Sequence, residues 1–164
     1  MIISCLLCNL FLIVPTQSHE NHIWAARMLV YEAGWTNEVE HRALLHTSKR
    51  RWLRTCKGRP FHNFLKAYST GLAPPWETNK RRKWIRQLEW SDKKPKNFPK
   101  NLNWKKHAKW WQQIRITVSN FLTGKSLDPC NAKTTHWAAP RIKRPDLVQV
   151  YCGETKNKFY RSRF

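Results

Sequence analysis

The chain has 164 residues, enough to bury one core and too few for two independent ones, so a second self-standing active-site domain is excluded. Its 31 lysines and arginines face 10 acidic residues, a formal charge of +21 that exceeds the needs of solubility and points to a polyanionic partner. Charge alone leaves nucleic acid, anionic lipid and the anionic bacterial wall open.

Residues 1–18 carry no charge, run apolar from Ile2 to Val14 and turn small and polar at Thr16 and Ser18. That pattern predicts a signal peptide ending near Ser18 and a single domain over 19–164. The apolar run falls short of the ~20 residues of a membrane span, and a buried N-terminal helix or a retained anchor is the alternative. An exported protein, periplasmic or secreted and including a phage-encoded one, meets wall polymer before nucleic acid. The expected partners are therefore anionic cell-wall polymers, with no specific nucleic acid and a monomeric chain.

From His19 to Ala33, Ile23, Ala26, Leu29, Val30 and Ala33 recur at helical spacing, and Gly34 follows as a C-cap. This helix ends beside Glu32. After Thr36-Asn37, a plausible N-cap, Val39, Ala43, Leu44 and Thr47 carry the period up to Lys49-Arg50-Arg51. Residues 54–60 read as a connection and Phe61 to Tyr68 as a short helix, closed by Gly71 and Pro74-Pro75. A further helix is predicted from Trp76, with Trp84, Ile85 and Leu88 on one face and Lys80 to Lys83 solvated opposite. The Lys/Pro-rich residues 91–103 read as a surface loop, and Trp104 to Leu122 as a fourth long helix. In the tail, Leu147, Val148, Val150 and Tyr151, then Phe159 and Tyr160, favour strands around the turn-rich GETKNK. The fold class is mainly α, an α+β domain with a small C-terminal β-hairpin.

Of five cysteines, Cys5 and Cys8 lie in the signal and Cys56, Cys130 and Cys152 remain. Cys130 and Cys152 sit beside turn residues and form the best disulfide pair in an oxidising compartment, leaving Cys56 odd. A zinc site on Cys130, His136 and Cys152 is the weaker alternative, because no CxxC or HxxxH spacing supports it. Ten tryptophans are chiefly core material for a domain short of aliphatic residues, with Trp35 and Trp137 reserved as sugar platforms in loops.

Glycosidic cleavage needs a carboxylic acid in a partly apolar setting, and the chain holds only seven glutamates and three aspartates. Glu32, flanked by Val30, Tyr31, Ala33 and Trp35 at a helix end, fits that need. A solvated helix-end glutamate is the bland alternative. Glu38, Glu40 and Glu77 are candidates for a second carboxylate, yet each stands in a strongly polar segment that predicts solvation.

The stretch Ala26-Arg27-Met28-Leu29-Val30-Tyr31-Glu32-Ala33-Gly34, followed by Glu40-His41-Arg42-Ala43-Leu44-Leu45-His46, resembles the motif of the cell-wall hydrolase family typified by the spore-cortex-lytic enzyme SleB. Asp128-Pro129-Cys130, His136-Trp137-Ala138-Ala139-Pro140, Cys152-Gly153 and Asn157-Lys158-Phe159-Tyr160 resemble the ends of phage and proteobacterial relatives. Thr36 stands where the family usually has a second acidic residue, and Lys-Arg-Arg replaces its Asn-Arg at the end of helix two. The resemblance covers residues 24–52 and 127–161. It implies a lysozyme-like fold and a lytic transglycosylase acting on peptidoglycan glycan strands, Glu32 serving as acid and then base, with no cofactor. His136 as a hydrogen-bond donor and Trp137 as a platform would lie in a loop over the cleft, and Tyr31 is a lesser candidate to orient Glu32. The rival reading is a non-enzymatic, cationic, Trp-rich binder of polyanions, whether nucleic acid, cell-wall polymer or membrane surface.

Overall fold

A computed structural model describes residues 19–35, 37–55, 58–69, 80–138 and 146–163. The expected signal at 1–18, Cys56, Thr36, Glu77 and the predicted breaks at Gly71 and Pro74-Pro75 lie outside the described residues. Among the described residues, four α-helices, one 3-10 helix and a three-stranded antiparallel sheet make an α+β fold.

Helix α1 (His19–Glu32) is the central element, packed against α2 (Glu38–Thr55), α3 (Phe61–Tyr68), the 3-10 helix (Lys80–Gln87) and α4 (Trp104–Leu122). It buries Ala25 and Met28 as well as Ile23, Ala26, Leu29 and Val30, so it is covered on more than the one stripe the periodicity predicts. Gly34 ends it as expected, with φ at 80° and its N–H on the Val30 carbonyl at 3.2 Å. Asn37 then caps α2, its Oδ1 accepting the Glu40 N–H at 3.0 Å. Helix α2 runs on through the basic residues to Thr55, into the segment predicted as a connection. Arg50 is held there by an ion pair with Asp128 and by the Thr134 carbonyl at 2.6 Å, partners from the far end of the sequence.

The described part of the helix expected from Trp76 is 3-10 rather than α. It buries Trp84 and Ile85, with Leu88 just beyond, as the spacing predicts, and Leu88 N–H bonds back three residues to Ile85 at 3.2 Å. Residues 91–103 form surface turns with one departure: Pro95 and Phe98 are buried, Phe98 lying edge-on to Trp84 at 5.2 Å and to Trp104 at 5.0 Å. Helix α4 spans the predicted residues, begins at its Asn103 cap and turns Trp111, Ile114, Val118 and Phe121 inward.

Packing accounts for most of the tryptophans. Trp111 is fully buried with its N–H on the Glu89 and Ser91 carbonyls at 2.9 and 3.0 Å. Trp52 and Trp104 likewise give their N–H to the Arg59 and Asp92 carbonyls.

Strands β2 (Leu147–Val150) and β3 (Lys158–Ser162) form the predicted hairpin, Val150 opposite Phe159. Residues 136–138, read from sequence as a loop, are instead strand β1 (His136–Ala138), paired with the other edge of β3 so that Trp137 faces Phe159 in register. A short segment gains strand structure here from a distant edge, which no local pattern announces. No helix among the described residues is long and apolar enough to cross a membrane.

Cys130 and Cys152 form the expected disulfide across 22 residues, which also overturns the zinc alternative, since neither sulfur is left as a thiolate ligand. Closing a loop of that length contributes about 3 kcal/mol in the chain-entropy view. Reduction is expected to lower the melting temperature by roughly 10 °C. Melting the protein with and without reductant checks this, and a shift within a degree would refute it.

Candidate active site

Glu32 is the last residue of α1 and is half-buried. Three separate parts of the chain converge on it. Ser69, buried where α3 ends, donates its hydroxyl to Oε1 at 2.7 Å. Trp137 on β1 donates its indole N–H to Oε2 at 3.4 Å. Asn157, just before β3, donates Nδ2 to the Glu32 backbone carbonyl at 3.1 Å and so occupies one of the orphan acceptors of the helix end.

Behind this layer stands Glu40, whose predicted solvation is wrong. It is fully buried, Oε1 accepting from the Asn157 backbone N–H at 2.9 Å and its Nδ2 at 2.7 Å, Oε2 from the Lys156 N–H at 3.0 Å. A carboxylate so enclosed by amide donors is a structural clamp on the turn before β3. Glu38 by contrast is exposed, 3.9 Å from Arg42 along the helix. Of the other described acids, Glu20 takes the Trp24 N–H and approaches Lys66, while Asp92 and Asp128 pair with Arg115 and Arg50.

The sequence-predicted site residues divide. Glu32 and Trp137 come together. His136 and Trp137 are neighbours on a strand and point to opposite faces, so the structure does not set both over one cleft. His136 instead meets the Thr135 hydroxyl at 3.0 Å through Nδ1. Trp35 is half-buried, stacked on Trp84 with centroids 5.5 Å apart and edge-on to His107 at 5.1 Å. Tyr31 is half-buried against the core.

Sequence reasoning missed Ser69, Asn157 and the role of Glu40. Asn157 and Glu40 fall within the stretches that carry the family resemblance, but their pairing spans 117 residues and is invisible to a local window. Ser69 carries no signal beyond ending a helix.

The turn between α1 and α2 is fixed by His41, buried in α2, whose Nε2 bonds the Gly34 carbonyl at 3.0 Å. Burial holds the His41 imidazole below its ordinary value, outweighing the Gly34 carbonyl and the Glu40 and Glu38 charges that favour protonation. His46 is likewise lowered, first by burial and then by Arg50 and Lys49, against the pull of Asp128 and the bond to Ser126. The unfolded chain therefore takes up protons near pH 6.5 that the folded chain refuses. Stability is full above that value and is lost as pH falls through the lower folded values. Thermal melts at constant ionic strength should show the loss over the pH range just below about 6.5, above the main carboxylate range. A melting temperature flat across that window would reject it.

Among the described residues no three His, Cys, Asp or Glu side chains cluster as metal ligands. No known family model, curated protein or solved structure matches the chain.

Proposed function

We propose that the chain is a peptidoglycan-cleaving glycosidase, a lytic transglycosylase of lysozyme-like fold acting on the β-1,4 bond between N-acetylmuramic acid and N-acetylglucosamine. The observation that carries this reading is Glu32 itself. It is a half-buried carboxylate at a helix end, gripped at Oε1 by Ser69 and touched at Oε2 only by the longer Trp137 contact among the described residues. Ser69 fixes the rotamer, and Oε2 keeps the capacity to carry a proton.

In the proposed reaction Oε2–H protonates the glycosidic oxygen as the bond to the muramyl anomeric carbon breaks. The resulting carboxylate then takes the proton of the muramyl C6 hydroxyl as its oxygen closes onto that carbon, giving a 1,6-anhydro end. One carboxylate suffices for both steps. Glu40, enclosed by three donors, is not free to serve as a second. Trp137, beside the acid, is the aromatic wall against which a sugar would lie, and the cationic surface would hold the anionic wall polymer. The resemblance of residues 24–52 to SleB-like hydrolases supports the same reading, as does the Cys130–Cys152 disulfide for an exported protein.

Mass spectrometry of fragments released from purified sacculi tests the proposal. Anhydromuramyl ends are expected; reducing muramyl ends would make it a hydrolase instead. Absence of any fragment would favour the polyanion binder, the reading that the charge of +21 supports by itself.

A further inference from the structure

Away from Glu32, cations from three parts of the chain converge on a concavity of about 290 Å³. Arg27 enters from α1, Arg86 from the 3-10 helix, and Lys93, Lys94 and Lys96 from the turns that follow, with Glu89 as the one carboxylate among the described lining residues. The nearby Asp92 is committed to Arg115 and does not neutralise this group.

The walls are anchored. Arg27 donates Nε and Nη2 to the Leu88 carbonyl at 3.1 and 2.8 Å and lies over the Trp24 ring at 4.7 Å. Gln87 accepts the Asn97 N–H at 3.0 Å, tying the lysine-bearing turns to the 3-10 helix. The Ser91 and Asp92 carbonyls are held by the Trp111 and Trp104 indoles, and Pro95 is buried. The backbone that carries these cations is thus fixed by packing. Burial pushes Arg27 down to about 10; the Arg86 charge lowers it further, while Glu20 and Glu89 act the other way.

For an anion, two guanidiniums with flanking ammoniums match the several oxygens of a phosphoryl group. Among the described residues the rest of the lining is Gln87 and Pro95, which offer no aromatic face on which a base could stack and no apolar wedge for a bilayer.

We propose that this pocket binds the phosphoryl group of a polyol phosphate, the chemistry shared by phosphate-rich wall polymers and by the headgroup of glycerol-based acidic lipids. The inference stands on the pocket and does not rest on the glycosidase reading.

The test is calorimetric titration of the full chain with glycerol phosphate, at constant ionic strength and in a buffer without phosphate. Saturable binding is expected, weakened at least tenfold in Arg86→Gln/Lys94→Gln and less than twofold in Lys105→Gln/Lys109→Gln, which removes equal charge from α4. Because Arg86 belongs to the 3-10 helix, Lys94→Gln/Lys96→Gln on the exposed turns serves as a second variant should the first fail to fold. Non-saturable binding, or equal weakening by the pocket and α4 variants, would overturn the proposal. Poly(glycerol phosphate) and phosphatidylglycerol vesicles then separate the sources. Pocket-dependent binding of either one supports the assignment and identifies the source, whereas pocket variants that bind both as wild type does would overturn it.

Discussion

Glu32→Gln protein is expected to clear purified sacculi at least about a hundredfold more slowly than wild type, the usual scale of a lost general acid. The amide keeps the size of the side chain, and its carbonyl can still accept the Ser69 hydroxyl that now meets Oε1 at 2.7 Å. What it lacks is an acidic proton to deliver to the leaving oxygen. Its NH₂ would face the Trp137 N–H, a donor against a donor, but that contact is 3.4 Å long in the native site and contributes little. Binding to sacculi should hold or rise slightly, because the substitution removes one negative charge from a chain of formal charge +21. Turbidity clearing at matched concentration, with a pull-down on the same sacculi, separates the two quantities. Equal clearing by both proteins would remove Glu32 from the mechanism.

The elements legible in the sequence are those whose signal is local. Helix α4 is an instance: its apolar period and the Asn103 cap lie within twenty residues of each other, and its predicted bounds match. Gly34 and Asn37 are similarly plain, one ending a helix by its backbone freedom and the other starting the next by its side chain. What stayed hidden depends on partners distant in sequence. Strand β1 exists because β3 offers an edge, and Glu40 is buried because a turn 116 and 117 residues later supplies donors for it. The same holds at the site. Glu32 stood out by its apolar neighbours, and Trp137 by its place in a motif, whereas Ser69 became visible only once α3 packed against α1.

Glu40→Ala is expected to cost about 4 kcal/mol of stability, which in a domain of this size lowers the melting temperature by roughly 10 °C or more. The carboxylate accepts three hydrogen bonds, each assisted by its charge, from the Lys156 and Asn157 backbone and from the Asn157 side chain. Truncation leaves these donors facing an empty space at a site with no exposure to water, so the penalty includes their desolvation and not merely the lost bonds. Glu40→Gln should recover part of the loss, because its carbonyl oxygen can accept some of those bonds while its NH₂ confronts the others. Glu38→Ala, two residues earlier but exposed, sets the reference and should shift stability by less than about 0.5 kcal/mol. Loss of the clamp also frees Asn157, the residue whose side chain holds the Glu32 carbonyl at the end of α1. Clearing by Glu40→Ala, measured well below its melting temperature, should therefore fall even where the chain remains folded. Melting curves for the three variants decide the matter: an alanine variant that melts within a degree of wild type would mean that the turn before β3 does not depend on this buried charge.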